Sequence, residues 1–135
     1  MAKWVDQGEQ DTLDVLFVAT SPWTNTYLGM YTDSTEPGET ATLPGGAAPI
    51  TEVSGAGYSR KTLARGTWSR TGDYVQYAQQ TFTATGGSWS NVYGYFIATS
   101  SDNTGKLLCV EHFTGGPFNV PDGGSIKITP KITCA

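Results

Sequence analysis

His112 is the chain's only histidine, and it lies beside Glu111 and three residues after Cys109. A cysteine next to a histidine can form a thiolate nucleophile, and a histidine beside a carboxylate can transfer a proton or help to hold a metal ion. The apolar residues around Cys109 predict a strand, on which Cys109 and His112 face opposite sides with Cα atoms about 10 Å apart. Glu111 also faces away from His112. Unless a β-bulge intervenes, this spacing predicts no nucleophilic pair and no histidine-based metal site, and we expect His112 to be partly exposed or hydrogen-bonded.

Carboxylates offer a second kind of chemistry, because two of them brought together by the fold can hydrolyse a glycosidic bond. Their spacing selects no pair among Glu36, Glu39, Glu52, Asp73 and Glu111. The turn at 101–105, S-D-N-T-G, lacks the alternating acids and the final glutamate of a calcium loop. We therefore predict that the protein is not an enzyme and holds no metal or cofactor, and a small hydrolase is the third-ranked hypothesis.

The two cysteines, Cys109 and Cys134, form no metal-binding motif. Cys109 lies in an apolar run and is expected to be a small buried hydrophobe. Cys134 is one residue from the end of the sequence. A disulfide between them is conceivable, but a domain of this size buries enough surface to fold without one, so we predict that both are reduced.

The charge of the chain argues against nucleic acid as a partner. Eight Lys and Arg against twelve Asp and Glu give a net charge of -4, whereas phosphate backbones are bound by clustered basic residues. The one local concentration, Arg60, Lys61, Arg65 and Arg70, is expected to be a solvated face with a few ion pairs, with contact to an acidic partner as the alternative. Residues 1–10 contain no signal sequence and no run approaches membrane-spanning length, so no membrane partner is predicted.

Residues 8–19 contain the one segment with a helical pattern. Leu13, Leu16 and Phe17 are spaced at i, i+3 and i+4, and acidic residues occupy the first turns, where they complement the helix dipole. Pro22 prevents continuation. A strand over V-L-F-V-A is the competing interpretation.

Period-two patterns dominate the rest of the chain and predict short strands. Asn103 and Gly105 are expected to supply positive φ at a hairpin turn, and Pro130 indicates an edge or terminal strand. We predict one all-β domain, 1–135: a single antiparallel β-sandwich, jelly-roll-like, with an N-terminal arm and helix (1–20) and a long loop (33–49). The predicted strands are 26–32, 57–63, 67–70, 74–84 as one long or two short strands, 92–100, 106–113 and 125–132.

Four tryptophans could anchor a partner. Trp68 follows a strand-like run and is expected in the core. Trp4 and Trp23 lie near a terminus and beside a proline, and Trp89 lies in a predicted loop tip, so these three are expected at the surface as partner-binding residues.

The loop 33–49 is rich in Pro and Gly, which favour turns over strands. Its Glu36 and Pro37 complete the predicted partner-binding set, because a loop this long commonly gains order from a partner. Aromatic rings also stack on sugars, so a carbohydrate-binding surface is the alternative to a protein interface.

The order of the strand motifs over nearly the whole chain resembles small structural proteins of tailed-bacteriophage virions. The motifs are G-E-Q-D-T-L-D-V-L-F, T-Y-L-G-M-Y-T-D, G-Y-S-R-K-T-L, T-F-T-A-T, V-Y-G-Y-F-I-A-T, K-L-L-C-V-E-H-F and I-K-I-T-P-K-I. The resemblance implies a virion component made in the host bacterial cytoplasm, and we predict a capsid cement or decoration protein that bridges copies of the major capsid protein and forms homo-oligomers in the particle. The alternative is a tail-fibre or carbohydrate-binding module that contacts the host surface.

Overall fold

The computed structural model describes residues 2–18 and 22–133. Those residues form one helix and twelve short strands. The elements are β1 (Lys3–Trp4), α1 (Asp6–Phe17), β2 (Asn25–Tyr31), β3 (Lys61–Ala64), β4 (Ser69–Thr71), β5 (Tyr74–Gln76), β6 (Gln80–Thr83), β7 (Trp89–Val92), β8 (Gly94–Ala98), β9 (Leu107–His112), β10 (Phe118–Val120), β11 (Ser125–Ile128) and β12 (Lys131–Thr133).

A five-stranded antiparallel sheet in the order β1-β9-β8-β2-β3 is the centre of the fold. Its strands are apolar at successive positions, because both faces are covered. One face, with Leu28, Met30 and Ile97, packs into the larger core cluster together with residues of the small sheets β10-β7 and β11-β6. The other face, with Tyr31 and Phe96, forms a second cluster. The layers confirm the predicted antiparallel β-sandwich.

A β-bulge interrupts β9 at Leu108. Ile97 pairs with Cys109 and Ala98 with Leu107, so Leu108 is the extra residue. From Cys109 onward the register is regular, and Gly94 pairs with His112. The bulge therefore lies outside the Cys109–His112 interval, and the predicted opposite facing of these two residues is confirmed.

Helix α1 lies against this bulge. The N–H of Val5 donates to the carbonyl oxygen of Leu108 at 3.0 Å, and Gly8 is buried so closely that an added Cβ would lie 2.1 Å from the same oxygen. The predicted helix is thus confirmed, but it begins two residues earlier than the pattern indicated and ends at Phe17. Its predicted end at 19 lies outside the described residues.

The apolar side of α1 lies away from the core. Leu13 is 55% exposed and Phe17 78% exposed, so the apolar side that the spacing identifies does not face the core; the side chain of Leu16 lies outside the described part. The buried positions are Gly8 and Asp11. The close approach of the backbone at Gly8 selects the buried face, so small and hydrogen-bonded residues face the sheet.

The remaining predicted strands differ mainly in length. The segment 74–84 forms two short strands, which is one of the two predicted alternatives, and 57–63 forms a strand only at β3 (Lys61–Ala64). Pro130 separates β11 from β12, as its missing N–H requires. The turn at 101–105 has no residue with positive φ, contrary to the prediction. Gly105 is needed there for space, because a Cβ would lie 2.4 Å from Oγ of Ser100.

The loop 33–49 is anchored, which corrects the expectation of a free surface loop. Ala41, Thr42 and Leu43 are buried, and Leu43 packs in the second core cluster with Ile50. Backbone hydrogen bonds from Thr42 to Ala48 and from Ile50 to Thr42 close the loop on itself. Only its outer parts are exposed.

A tryptophan-lined cleft as the candidate binding site

Three tryptophans from distant parts of the sequence line one cleft. Trp4 from β1, Trp23 from the segment before β2, and Trp68 from the segment before β4 surround a partly open space of about 330 Å³. Most of the other lining residues are apolar. They are Thr12, Val15, Pro22, Asn25, Thr26, Leu63, Arg65, Val75, Ile97, Leu108 and Ile132. The cleft therefore lies where α1, the five-stranded sheet and the three-stranded sheet β12-β5-β4 meet.

Backbone pairing positions Trp4. It pairs with Cys109 across the β1–β9 ladder, and Ala2 donates its N–H to the carbonyl oxygen of Lys131 at 3.2 Å. Residues expected to be a free N-terminal arm are thus strands and bridges of the sheets themselves. Trp4 is half-buried, which corrects the expectation of an exposed ring.

Polar contacts hold the other two rings. The indole N–H of Trp23 donates to Oδ2 of Asp11 at 2.7 Å, and Oδ1 of the same carboxylate accepts from Nζ of Lys106 at 2.8 Å. Trp68 packs edge-on against Tyr77, with ring centroids 5.3 Å apart. Both tryptophans are half-buried, so the chain supports each ring while leaving part of it open to the cleft.

The cleft offers few polar groups. The hydroxyl oxygen of Thr26 is buried and has no hydrogen-bond partner in the described chain, which is costly unless a ligand or a water satisfies it. Arg65 at the edge is exposed. A concave, mainly apolar surface with a few polar groups is typical of a binding site for an apolar group.

The structure brings together Trp4 and Trp23 of the predicted site residues, but not Trp89. Trp89 begins β7, is 3% exposed, and donates its indole N–H to the carbonyl oxygen of Gly55 at 2.9 Å. Its ring meets Tyr58 edge-on. The prediction that Trp89 is an exposed anchor at a loop tip is wrong, because the G-G-S turn ends at Ser88 and Trp89 already belongs to β7.

Glu36 and Pro37 lie away from the cleft, in the outer part of the loop 33–49, where they line a shallow hollow of mixed polar and apolar residues. Glu36 forms an exposed ion pair with Lys3 at 3.4 Å, so the loop and β1 are linked within the chain. Their role as partner contacts stays a prediction.

His112 packs against an aromatic ring and lies within hydrogen-bond distance of a hydroxyl, in line with the prediction that it is partly exposed or hydrogen-bonded. Its ring stacks on Tyr93 with centroids 5.5 Å apart, and Nδ1 lies 3.2 Å from the hydroxyl of Tyr31. Glu111, on the opposite face, accepts a hydrogen bond from the hydroxyl of Tyr95 at 2.5 Å. Burial and this hydrogen bond raise the pKa of Tyr95 far above its ordinary value.

Arg60 was expected on a solvated face with a few ion pairs; it does form an ion pair, but the expectation that it is solvated is wrong. Its side chain is 3% exposed and binds Glu52 through two hydrogen bonds of 2.8 and 2.6 Å. The guanidinium also donates to the backbone oxygens of Ser100 and Asp102 and to Oδ1 of Asn103. Arg60 thereby fastens the 101–105 turn to the strand region before β3, and all its donor capacity is internal.

Burial also makes the thiol of Cys109 unreactive. Its side chain is fully buried, and desolvation raises the pKa of the thiol, with the charge of Glu111 adding to the rise. A buried neutral thiol is a hydrophobe rather than a nucleophile, as predicted. Cys134 lies outside the described residues, so the pairing of the two cysteines stays a prediction.

Sequence reasoning did not identify three of the cleft residues, which are Leu63, Trp68 and Val75. No spacing signal connects them, because they meet through tertiary packing of separate sheets.

Among residues 2–18 and 22–133, no group of three or more His, Cys, Asp or Glu could hold a metal ion. No helix in the same ranges is long and apolar enough to cross a membrane.

Comparison with known proteins gives one family. The model of the family described as "Podophage GP4 fiber I protein gp80" matches residues 3–132. No curated protein and no solved structure matches the chain. The matched range begins in β1 and ends in β12, so it includes the whole tryptophan-lined cleft.

Proposed function

The chain belongs to the Podophage GP4 fiber I protein gp80 family, and from this premise we propose that it is a non-enzymatic subunit of a fibre on the phage particle. The family confirms the resemblance to structural proteins of tailed-phage virions. The chain is therefore a component of the virion. The family match over residues 3–132 is the observation that carries the proposal. It favours a fibre over the capsid cement role that the resemblance first suggested.

The placement of reactive side chains supports a structural role. His112 is stacked on Tyr93, and the Cys109 thiol is buried. The guanidinium of Arg60 is saturated by internal acceptors. Groups that could act on a substrate are thus used to hold the domain together, which suits a subunit that transmits attachment rather than one that catalyses.

The low charge of the chain supports contact with other proteins. Only 15% of the residues are charged, against about 25% in an average soluble domain. Desolvating charged groups is a main cost of forming an interface. A surface with few charges therefore favours a subunit that is packed against neighbours in a particle.

Immunogold electron microscopy of intact phage, with antibodies against the purified domain, tests the location. We expect label on fibres and, by mass spectrometry of separated heads and tails, a small copy number in the tail fraction. Label over the whole head, at an abundance near that of the major capsid protein, would contradict the fibre proposal. It would instead support the cement role with the major capsid protein as partner.

A further inference from the structure

Helix α1 exposes a group of large apolar side chains at its C-terminal end. Leu13 and Phe17 are 55% and 78% exposed, and Val18, which follows the helix, is 68% exposed. Single exposed apolar residues are ordinary, but Leu13 and Phe17 are four residues apart and so lie on the same side of the helix, which is the spacing of a contact surface. We refer to Leu13 and Phe17 as the α1 knob.

The tryptophan-lined cleft lies on the other side of the same helix. Thr12 and Val15 face the cleft, whereas Leu13 and Phe17 face solvent. At 100° per residue the two sides are roughly 150° apart around the helix axis. The knob therefore cannot fill the cleft of its own chain, so a knob that enters the cleft must belong to another molecule.

The cleft has the size and chemistry to take such a knob. Its volume of about 330 Å³ has room for one aromatic ring and a neighbouring aliphatic side chain. The indoles of Trp4, Trp23 and Trp68 supply edges and faces against which a phenyl ring packs favourably. The apolar lining suits a side chain better than a sugar, whose hydroxyls need many hydrogen-bond partners.

The charges around the two surfaces are complementary. On α1, Asp6, Glu9 and Asp14 are exposed and form no ion pair within the described residues, and the helix carries no Lys or Arg. At the cleft, Arg65 is exposed at the edge. A neighbouring recess contains both Arg70 and Asp73 and adds no net charge, so Arg65 is the cation that the cleft offers. The acidic helix and the Arg65 edge attract each other, whereas contact between two copies of the acidic helix is disfavoured.

We propose that the cleft binds the α1 knob of a second copy of this chain, with Phe17 in contact with the tryptophans and Arg65 facing the carboxylates of the incoming helix. Because knob and cleft are different surfaces, the contact is head-to-tail and propagates into a ring or a filament. This goes beyond the fibre role, since it names the contact between copies and holds wherever in the virion the chain lies. Its failure therefore leaves the fibre assignment standing.

Sedimentation velocity over a range of concentrations tests the contact. The wild-type chain is expected to form dimers and larger species, and Phe17→Asp should raise the dissociation constant at least tenfold. The matched control is Phe118→Asp, which changes the other exposed phenylalanine, in β10. Phe17→Asp should keep the melting temperature of the wild type, because the Phe17 side chain is 78% exposed. Phe118→Asp should lower it modestly, because that ring packs edge-on against Phe113, but it should leave association unchanged.

Charge reversal tests the orientation. Arg65→Glu should weaken association, and adding Asp14→Lys to the same chain should restore most of the loss, because Asp14 lies one turn before Phe17 on the helix. A mixture of two defective variants gives the sharpest result. Phe17→Asp keeps the cleft and Val15→Glu keeps the knob, so together they should form a one-to-one heterodimer that grows no further.

Several outcomes would overturn the proposal. These are a wild-type chain that stays monomeric at millimolar concentration, equal effects of Phe17→Asp and Phe118→Asp, and a mixture that forms no heterodimer. Titration with maltotriose and chitotriose, followed by tryptophan fluorescence, distinguishes the competing occupant. Saturable quenching that Val15→Glu abolishes, in a chain that remains monomeric, would make the cleft a sugar site and overturn the proposal.

Discussion

Replacing Gly8 with alanine should destabilise the domain, although the same change stabilises most helices. Alanine is favoured over glycine in a helix by about 0.8–1.0 kcal/mol. Here the new methyl carbon would lie 2.1 Å from the carbonyl oxygen of Leu108 and 2.7 Å from its Cα. Both are backbone atoms, so no rotamer change relieves the contact.

The size of the effect follows from this distance. Close C–H···O contacts have carbon–oxygen distances of about 3.3–3.6 Å, so the helix must retreat by roughly 1.2 Å. Overpacking of this kind typically costs 1–3 kcal/mol, occasionally more. The retreat also stretches the 3.0 Å hydrogen bond from Val5 to Leu108. Because the contact is with backbone atoms and also stretches a hydrogen bond, we take the upper half of that range, about 2–3 kcal/mol. Subtracting about 1 kcal/mol for the gain in helix propensity leaves an expected net loss of about 1–2 kcal/mol in the free energy of unfolding.

Urea denaturation and calorimetry measure this loss. For a chain of this length, 1–2 kcal/mol corresponds to a fall in melting temperature of roughly 3–8 °C. Gly38→Ala is the matched control, because no heavy atom lies within 4 Å of its Cβ position. It should leave stability unchanged or raise it slightly. A Gly8→Ala variant as stable as the wild type would refute the reasoning that the bulged β9 fixes the helix through contact at Gly8.

Three further predictions follow from buried groups. Arg60→Lys should lower the free energy of unfolding by about 2–4 kcal/mol in urea denaturation, because an ammonium cannot replace the bidentate guanidinium and leaves a buried carboxylate poorly paired; an unchanged midpoint would contradict this. Leu43→Ala should lower the free energy of unfolding by about 2–4 kcal/mol in the same assay, since Leu43 is 3% exposed. A decrease of less than about 0.5 kcal/mol would contradict the conclusion that Leu43 anchors the loop in the core. Burial and nearby carboxylates raise the folded-state pKa of Tyr58 and Tyr95, so above pH 10 the native state keeps protons that the unfolded state loses. The stability that these two tyrosines contribute should therefore be constant below pH 10 and fall above it. Ultraviolet titration should show both tyrosines ionising only on unfolding, and normal ionisation in the folded protein would contradict the assignment.

The central strands were predictable because runs of apolar and aromatic residues, separated by turn residues, indicate strands that are buried on both faces. The β8–β9 pairing follows from two such runs on either side of S-D-N-T-G, and the opposite facing of Glu111 and His112 follows from strand geometry. Where such runs are absent, prediction failed: β1 has only two residues, and β10 has exposed residues on both faces. Such short strands are specified by the partner strand rather than by their own sequence.

The candidate cleft could not be derived from the sequence for a related reason. Trp4 reaches it because β1 pairs with β9, and Trp68 because the three-stranded sheet lies beside the central one. Each pairing is a long-range choice with no local signal. The loop 33–49 failed in the opposite direction, since its Pro and Gly residues correctly indicate turns but do not report that Leu43 between them enters a core.

Helix α1 shows how the two kinds of information combine. Periodicity correctly identified Leu13 and Phe17 as one side of an amphipathic helix, but it does not say what covers that side. Gly8 determines which side of the helix faces the sheet, because it lets the helix backbone approach the Leu108 carbonyl closely. The side with Gly8 therefore faces the sheet, and the side with Leu13 and Phe17 faces away from it. A helix that served only the stability of one chain would turn its larger apolar residues inward, where burying a Phe or Leu side chain contributes about 1.5–3 kcal/mol. Their outward position is instead the arrangement expected when that burial is completed by another molecule.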